Sequence, residues 1–136
     1  MTRAVIEKGR FEMDKRTKLT LDELLRRKEQ MLAAKKTKTT AEMYIPSLDA
    51  TITIEEPDGG LARDAVAMEA GEGDKYLCYN CIKEPNLKAS SVQEAYGCAE
   101  PTDIVDILFK PGEIPQVAKA CMELAGYDNG VKQVKN

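Results

Sequence analysis

The residues of this chain with the most distinctive chemistry are four cysteines, two of which form the motif CYNC at residues 78–81. Zinc sites and thiol-disulfide enzymes use this spacing, and a structural zinc site ordinarily adds a second cysteine pair or histidines. The chain has no histidine, and Cys98 and Cys121 stand singly. The motif therefore lacks the partners that a zinc site needs, and the sequence predicts no metal.

A redox role for the same motif is also disfavoured. A redox-active pair normally follows a buried strand and opens a helix, where the helix dipole lowers the pKa of the thiol. The pattern here predicts a helix from Asp74 to Lys83 that stops before Pro85, with both thiols inside it and no apolar strand before it. Cys121 lies in the apolar stripe of the last predicted helix. We therefore interpret the cysteines as small hydrophobic side chains.

No other catalytic constellation emerges from the sequence. Without histidine there is no Ser-His or Cys-His pair and no common general base for neutral pH. Acidic pairs such as Glu55 with Glu56 and Asp103 with Asp106 could act in acid-base chemistry, but such pairs on polar faces are usually solvated. We predict a non-enzymatic protein with no catalytic residues and no cofactor.

Bulk composition indicates a globular, helix-rich chain. Its 136 residues suffice for one domain, and 43% are hydrophobic, 32% charged and 5% aromatic. No apolar run approaches the roughly 18 residues that a membrane span requires. The first residues do not resemble a secretory signal peptide. The sequence thus predicts no membrane association and a cytoplasmic location, where thiols stay reduced.

Charge is distributed unevenly along the chain. The first 40 residues hold 12 basic and 6 acidic side chains, and the remainder holds 8 basic and 17 acidic ones, which gives +6 and −9. A basic arm of this kind can bind nucleic acid, but it contains one aromatic residue, Phe11, and its cations alternate with acids. We predict no nucleic-acid binding. A solvated helix face, which can also attract acidic surfaces of sister subunits, explains the pattern better.

The basic segment contains an amphipathic helix. Thr20 is placed as the N-cap with Glu23 three residues later, which is a capping box. Apolar residues then recur at helical spacing, and the stripe must pack against the same chain or against a partner. Packing within the chain is the more common outcome. The candidate partner-binding residues are Leu24, Leu25, Met31 and Leu32.

The rest of the chain predicts an α+β fold, a mostly helical single domain with one N-terminal β-hairpin packed against a bundle of short helices. Met43, Ile45, Ile52 and Ile54 alternate with other residues around a turn at residues 47–49, which is typical of a hairpin. The Gly-Gly pair at 59–60 lacks any phosphate-loop pattern and is interpreted as a turn. Helices are predicted over residues 61–69 and 74–83, after Ser90-Ser91, after Thr102, and over 113–125. We predict a mobile arm at 1–17, a domain at 18–127 and a flexible tail at 128–136.

Three stretches resemble a known family, the XkdN-like tail assembly chaperones of bacteriophages and prophage-derived tail particles. They are KLTLDELLRRKEQMLAAKK, EMYIPSLDATITIEEP and EPNLKASSVQEAYGCAEPTDIVDILFKPGEIPQVAKACMELAGY. The third stretch is the most specific, because its prolines and glycines fix corners between capped helices in a particular order. The resemblance extends from about Lys18 to Tyr127 and leaves the first 17 residues outside.

The resemblance implies a function. Members of this family are assembly factors that bind the tape measure protein, keep it soluble, help recruit tail tube subunits in the host cytoplasm, and are absent from the finished tail. Some are made in two lengths by translational frameshifting, so the implied partners are the tape measure protein, the tail tube protein, and further copies of the chain or a longer form. The alternative is a structural tube or connector subunit retained in the particle. The family supplies no catalytic or ligand residues to assign here.

Overall fold

The computed structural model of the protein describes residues 18–127 and Val131. These residues belong to two compact units, the first containing residues 18–37 and the second containing residues 38–127 with Val131. The predicted arm at 1–17 lies outside the described residues, as does the predicted tail at 128–136 apart from Val131. The predicted domain at 18–127 covers the described residues of both units except Val131.

The first unit consists of two consecutive helices, α1 (Leu21–Arg26) and α2 (Lys28–Lys36). Thr20 is the N-cap of α1, and its hydroxyl accepts a hydrogen bond from the Glu23 N–H at 3.2 Å, which confirms the predicted helix start. The Glu23 carboxylate does not complete the capping box in the expected way. It accepts hydrogen bonds from the side chains of Arg26 and Arg27. The local sequence thus defines this helix start.

The second unit contains a three-stranded antiparallel sheet with the strands in the order β1-β2-β3. The sequence predicted an isolated hairpin, and this prediction is corrected because a third strand extends it. The predicted helix through Lys83 is also wrong at its end, since Ile82 pairs with Ile54 and both side chains are buried. Burial of Ile82 outweighs the helical preference of its neighbours. The strands are β1 (Thr40–Ile45), β2 (Ala50–Glu55) and β3 (Ile82–Glu84).

The turn between β1 and β2 falls at residues 46–49, as the sequence indicates. Asp49 adopts a φ of +50°, a conformation that aspartate tolerates better than most residues. The Tyr44 hydroxyl donates a hydrogen bond to the Asp49 carboxylate at 2.7 Å. In this register Met43 lies opposite Ile52, and the apolar side chains of both strands face the core. The alternation of apolar residues and the residue types of the turn thus both agree with the observed pairing of β1 with β2.

Five helices complete the second unit, and together with the sheet they confirm the predicted α+β class. Asp58 caps the first of them by accepting a hydrogen bond from the Leu61 N–H at 2.8 Å. The last ends as predicted in a Schellman motif, in which Gly126 has a φ of +93° and the Tyr127 N–H donates to the Met122 carbonyl. The helices are α3 (Gly59–Ala67), α4 (Ala70–Cys81), α5 (Ser90–Ala95), α6 (Asp103–Leu108) and α7 (Glu113–Leu124).

Three predicted helix starts are wrong. Helix α3 begins at Gly59, so the Gly-Gly pair interpreted as a turn forms its first two residues. Helix α5 has Ala89 as its N-cap, without a side-chain hydrogen bond, so Ser90 and Ser91 lie inside the helix. Helix α4 begins at Ala70, four residues before the predicted start at Asp74. Two glycines follow Ala70, and glycine disfavours helix, which is why propensity placed the start later.

Gly73 has a packing role that explains its place in α4. A Cβ atom at this position would lie 2.3 Å from the carbonyl oxygen of Ala65 in α3. The two helices therefore approach each other at a separation that only glycine permits. This contact fixes one wall of the groove described below.

One hydrophobic core joins the sheet to helices α4, α6 and α7. Helix α4 packs against α7. In addition, α4 contacts β3, and α7 contacts β1 and β2. No polar or charged side chain among the described residues is buried. The largest fully buried side chains are Ile54, Leu87, Ile104, Val105, Cys78, Cys81 and Cys121.

Candidate functional site

The cysteines lie in this core. Cys78, Cys81 and Cys121 are buried between α4 and α7, whereas Cys98 is half-buried beyond α5, and all four are free thiols. The Cys78 thiol donates a weak hydrogen bond to the Ile114 carbonyl, with 3.5 Å between sulfur and oxygen. Across residues 18–127, no three potential ligands are placed to hold a metal ion. The interpretation of three of these cysteines as core side chains is confirmed by their burial.

The environment of Cys78 and Cys121 suppresses their thiolate form, whereas the hydrogen bond with the Cys121 thiol lowers the pKa of the Cys81 thiol, which its burial still shields from reagents. Burial raises the pKa of the Cys78 thiol to about 12, and the nearby Asp74 carboxylate adds to this effect. The contact with the Cys81 thiol, together with burial, raises the pKa of Cys121 as well. Because the thiolate is the nucleophile in cysteine chemistry, Cys78 and Cys121 are poorly suited to attack a substrate near neutral pH.

Alkylation of the native protein with iodoacetamide at neutral pH should therefore separate the cysteines. We expect modification at Cys98 first, with Cys78, Cys81 and Cys121 protected until the protein is unfolded in denaturant. Peptide mass spectrometry gives the rate at each site, and a denatured sample, in which all four thiols react, is the control. Rapid modification of Cys78 in the native protein would contradict the assignment.

The carboxylates that could have acted in acid-base chemistry have structural partners. Asp106 accepts a hydrogen bond from the Lys75 ammonium at 2.9 Å. Asp103 accepts hydrogen bonds from two backbone N–H groups in the loop before α6. Glu55 lies 3.9 Å from the Lys83 ammonium, an ion pair between β2 and β3. These contacts account for the three carboxylates without a catalytic role.

The candidate partner-binding side chains form an exposed stripe on the first unit. Leu24, Leu25, Met31 and Leu32 are between 38 and 64% exposed, and no residue of α1 or α2 is buried. We call this surface the leucine stripe.

Cations surround the leucine stripe. Residues 18–38 contain seven basic and three acidic side chains, a net charge of +4. Glu23 is held between two arginines, and these side-chain hydrogen bonds lower the pKa of its carboxyl below the ordinary value. The stripe is thus an apolar surface in a positively charged setting, which suits contact with an apolar and acidic partner.

A groove that sequence analysis did not identify lies in the second unit, between α3, α4 and α7. It contains an open cavity of about 360 Å³ whose apolar lining includes the exposed side chains Val66, Met68 and Tyr127. A second cavity of about 400 Å³ adjoins it between α4, α6 and the start of α7. Asp74 and Pro115 line both cavities. We refer to the two together as the helical groove.

Acidic residues are concentrated in the segment that joins α3 to α4, and one of them, Asp74, lines both cavities of the helical groove. The chain from Asp64 to Asp74 forms the end of α3 and the beginning of α4, and it contains four acids and no base. Lys75 follows directly, but its ammonium is paired with Asp106 and lies 3.8 Å from Glu72. Lys119 is the cation that lines the groove. Sequence periodicity could not reveal this surface, because it depends on how three helices meet.

Comparison with known proteins identifies the family. Among the described residues, no helix is long and apolar enough to cross a membrane. Neither the characterised proteins nor the solved structures include a significant match. A family model described as phage XkdN-like tail assembly chaperone protein matches residues 2–136, which extends beyond the stretch at 18–127 that carries the resemblance. The chain therefore belongs to the phage XkdN-like tail assembly chaperone family.

Proposed function

We propose that this protein is a non-enzymatic chaperone that binds the tape measure protein in the host cytoplasm and keeps it soluble during tail assembly. It further helps to recruit tail tube subunits and is absent from the finished tail. Membership of the family supports this role. The observation that carries it is the exposed leucine stripe, since large apolar side chains on a charged helix favour contact with another protein.

The proposed mechanism is burial of one apolar surface by another. A tape measure protein is long and helical, and its apolar seams would aggregate in water. Leu24, Leu25, Met31 and Leu32 lie along such a seam, as an amphipathic helix lies in a groove. Each leucine that becomes fully buried contributes about 1.5–3 kcal/mol before the entropic cost of association. Met31 adapts to seams of different shape, because its side chain is unbranched and flexible.

Co-expression with the tape measure protein of the same genome tests this role. The wild-type chain should raise the soluble fraction of the tape measure protein and co-purify with it. Leu25→Asp places a charge in the leucine stripe and should return that fraction to the level without chaperone. No gain in solubility and no complex with the wild-type chain would refute the proposed function.

A matched control is available on the adjoining helix α2. Gln30 lies on the side of the helix opposite the stripe, by its spacing from Leu25 and Met31. Gln30→Asp introduces the same charge without touching the stripe, so it should leave the solubility of the tape measure protein unchanged. Equal losses with both variants would indicate a general charge effect instead of a binding surface.

Mass spectrometry of purified particles tests the other part of the proposal. An assembly factor that dissociates before the tail is finished should be absent from the particles, or present in far fewer copies than the tube subunit. A stoichiometric amount would instead identify a structural tube or connector component. The co-expression result and the particle result are independent of each other.

A further inference from the structure

Strand β1 forms one edge of the sheet, and its outer side is open. Just beyond the residues that pair β1 with β2, the Glu56 N–H donates a hydrogen bond to the Thr39 carbonyl at 2.9 Å. Because backbone groups of an antiparallel strand point alternately toward and away from the neighbouring strand, those of Thr40, Glu42 and Tyr44 point away from β2. All three residues are exposed, and within the described part of the chain β1 pairs with β2 alone. The edge therefore presents backbone donors and acceptors to solvent.

Strand β1 has few of the features that protect a sheet edge from further pairing. Such edges ordinarily carry a proline, lysines or a bulge. The strand Thr40–Ile45 contains no proline and no lysine, and its pairing with β2 runs without a register shift. Pro46 follows the strand, so the outward N–H groups are intact. With Glu42 as its one charged residue, the edge is suited to accept a further strand.

The core side of this edge is incompletely covered. Ala41 and Met43 pack against the core but are only half-buried, whereas Ile52 and Ile54 of the neighbouring strand are buried. A further strand would place its own side chains beside Ala41 and Met43 and remove more of their apolar surface from water. The edge therefore suits a segment with apolar residues at these alternate positions.

The solvent side of the edge selects for positive charge. Residues 41–127 contain 6 basic and 16 acidic side chains, a net charge of −10, and Glu42 is exposed at the edge itself. A cation opposite Glu42 in an added strand would form a favourable cross-strand pair. Tyr44 is 57% exposed on the same face and offers its ring to a β-branched side chain.

We propose that the open edge of β1 binds an extended segment of another protein as a fourth, antiparallel strand of the sheet. The segment has apolar residues beside Ala41 and Met43 and a lysine or arginine opposite Glu42. Backbone hydrogen bonds provide affinity, and the alternate side chains provide selectivity. Pairing of two β1 strands about Glu42 would instead place two carboxylates opposite each other, which charge repulsion disfavours. The inference involves neither the leucine stripe nor the proposed function.

A synthetic peptide tests this proposal by nuclear magnetic resonance. The peptide is matched in length to β1, and valine alternates in it with threonine and a central lysine. Adding it to the isotope-labelled full chain should shift the amide resonances of Thr40, Glu42 and Tyr44 and slow the exchange of their hydrogens with solvent. No shifts, or shifts confined to the leucine stripe or the helical groove, would overturn the proposal. Slow exchange of these three amides before any peptide is added would also overturn it, since the edge would then be covered already.

Methylation of the peptide backbone gives a matched control on the wild-type protein. Methyl groups on the nitrogen atoms of the threonines and the lysine remove the donors that face β1, so binding should be lost. Methyl groups on the valine nitrogens project away from the sheet and should leave binding unchanged. Equal binding of the two methylated peptides would exclude strand pairing.

Reversal of charge on the protein tests the selectivity. Glu42→Lys turns an attractive cross-strand pair into a repulsive one, so it should weaken binding of the peptide by about fivefold. Glu84→Lys makes the same change at an exposed position of β3, on the opposite edge of the sheet, and should have a much smaller effect. Equal losses with both variants would show that net charge alone attracts the peptide.

The leucine stripe separates this inference from the proposed function. Leu25→Asp should bind the peptide as the wild type does, although it should no longer keep the tape measure protein soluble. If the wild type binds the peptide at β1 but never solubilises the tape measure protein, the proposed function fails and the inference stands. If it solubilises the tape measure protein but leaves the amides of β1 unchanged when peptide is added, the reverse holds.

Discussion

Replacing Gly73 by alanine is expected to lower the free energy of unfolding by at least about 3 kcal/mol, because overpacking of a tight contact ordinarily costs about 1–3 kcal/mol and this contact is with backbone. The added Cβ would lie 2.3 Å from the Ala65 carbonyl oxygen, so α3 and α4 must separate to admit it. Domains of this size have a stability of about 5–15 kcal/mol. The variant should therefore unfold at a much lower denaturant concentration.

Gly71 provides the matched control two residues away in the same helix. A Cβ at Gly71 meets no atom within 4 Å. Gly71→Ala should therefore raise stability by about 0.5 kcal/mol, because alanine reduces the freedom of the unfolded chain. Urea unfolding followed by circular dichroism measures both variants. Similar stability of the two alanine variants would show that α3 and α4 are not in the close contact described here.

Truncation of Ile104 should produce the second large loss of stability. This side chain of α6 is fully buried in the core that α4 and α7 share. Ile104→Ala removes three carbons and leaves a cavity, which should cost about 2–5 kcal/mol. Thermal and urea unfolding would measure this loss in the free energy of unfolding, provided that the transition stays as cooperative as in the wild type.

The same helix supplies the comparison for Ile104. Ile107 is 46% exposed, against 0% for Ile104, although the two side chains are chemically identical. Ile107→Ala should change the free energy of unfolding by less than about 1 kcal/mol, as is usual at exposed positions. A large loss at Ile107, or a small loss at Ile104, would contradict the assignment of the two faces of α6.

Sequence reasoning succeeded where local chemistry determines structure. The cap at Thr20 and the Schellman motif at Gly126 depend on residues within one turn, and both are observed. The turn between β1 and β2 was predicted for the same reason. The burial of Cys121 followed from its place in the apolar stripe of the last helix.

Sequence reasoning failed where distant contacts decide. The third strand forms because Ile82 pairs with Ile54, 28 positions earlier in the chain, and no local pattern contains that pairing. The start of α4 was placed too late because Gly73 is unfavourable in an isolated helix and favourable only against Ala65. The helical groove was missed altogether, since three separate helices create it. The leucine stripe spans the consecutive helices α1 and α2, and its role in binding a partner stays a prediction.

The composition of the helical groove bears on the entropy of any docking event. Ala65, Ala70, Gly73, Pro115 and Ala118 make up much of the lining of its first cavity. These residue types have almost no rotamer freedom to lose when a ligand covers them. Covering this part of the groove would therefore cost the protein little side-chain entropy, and the ordering penalty would fall mainly on the ligand.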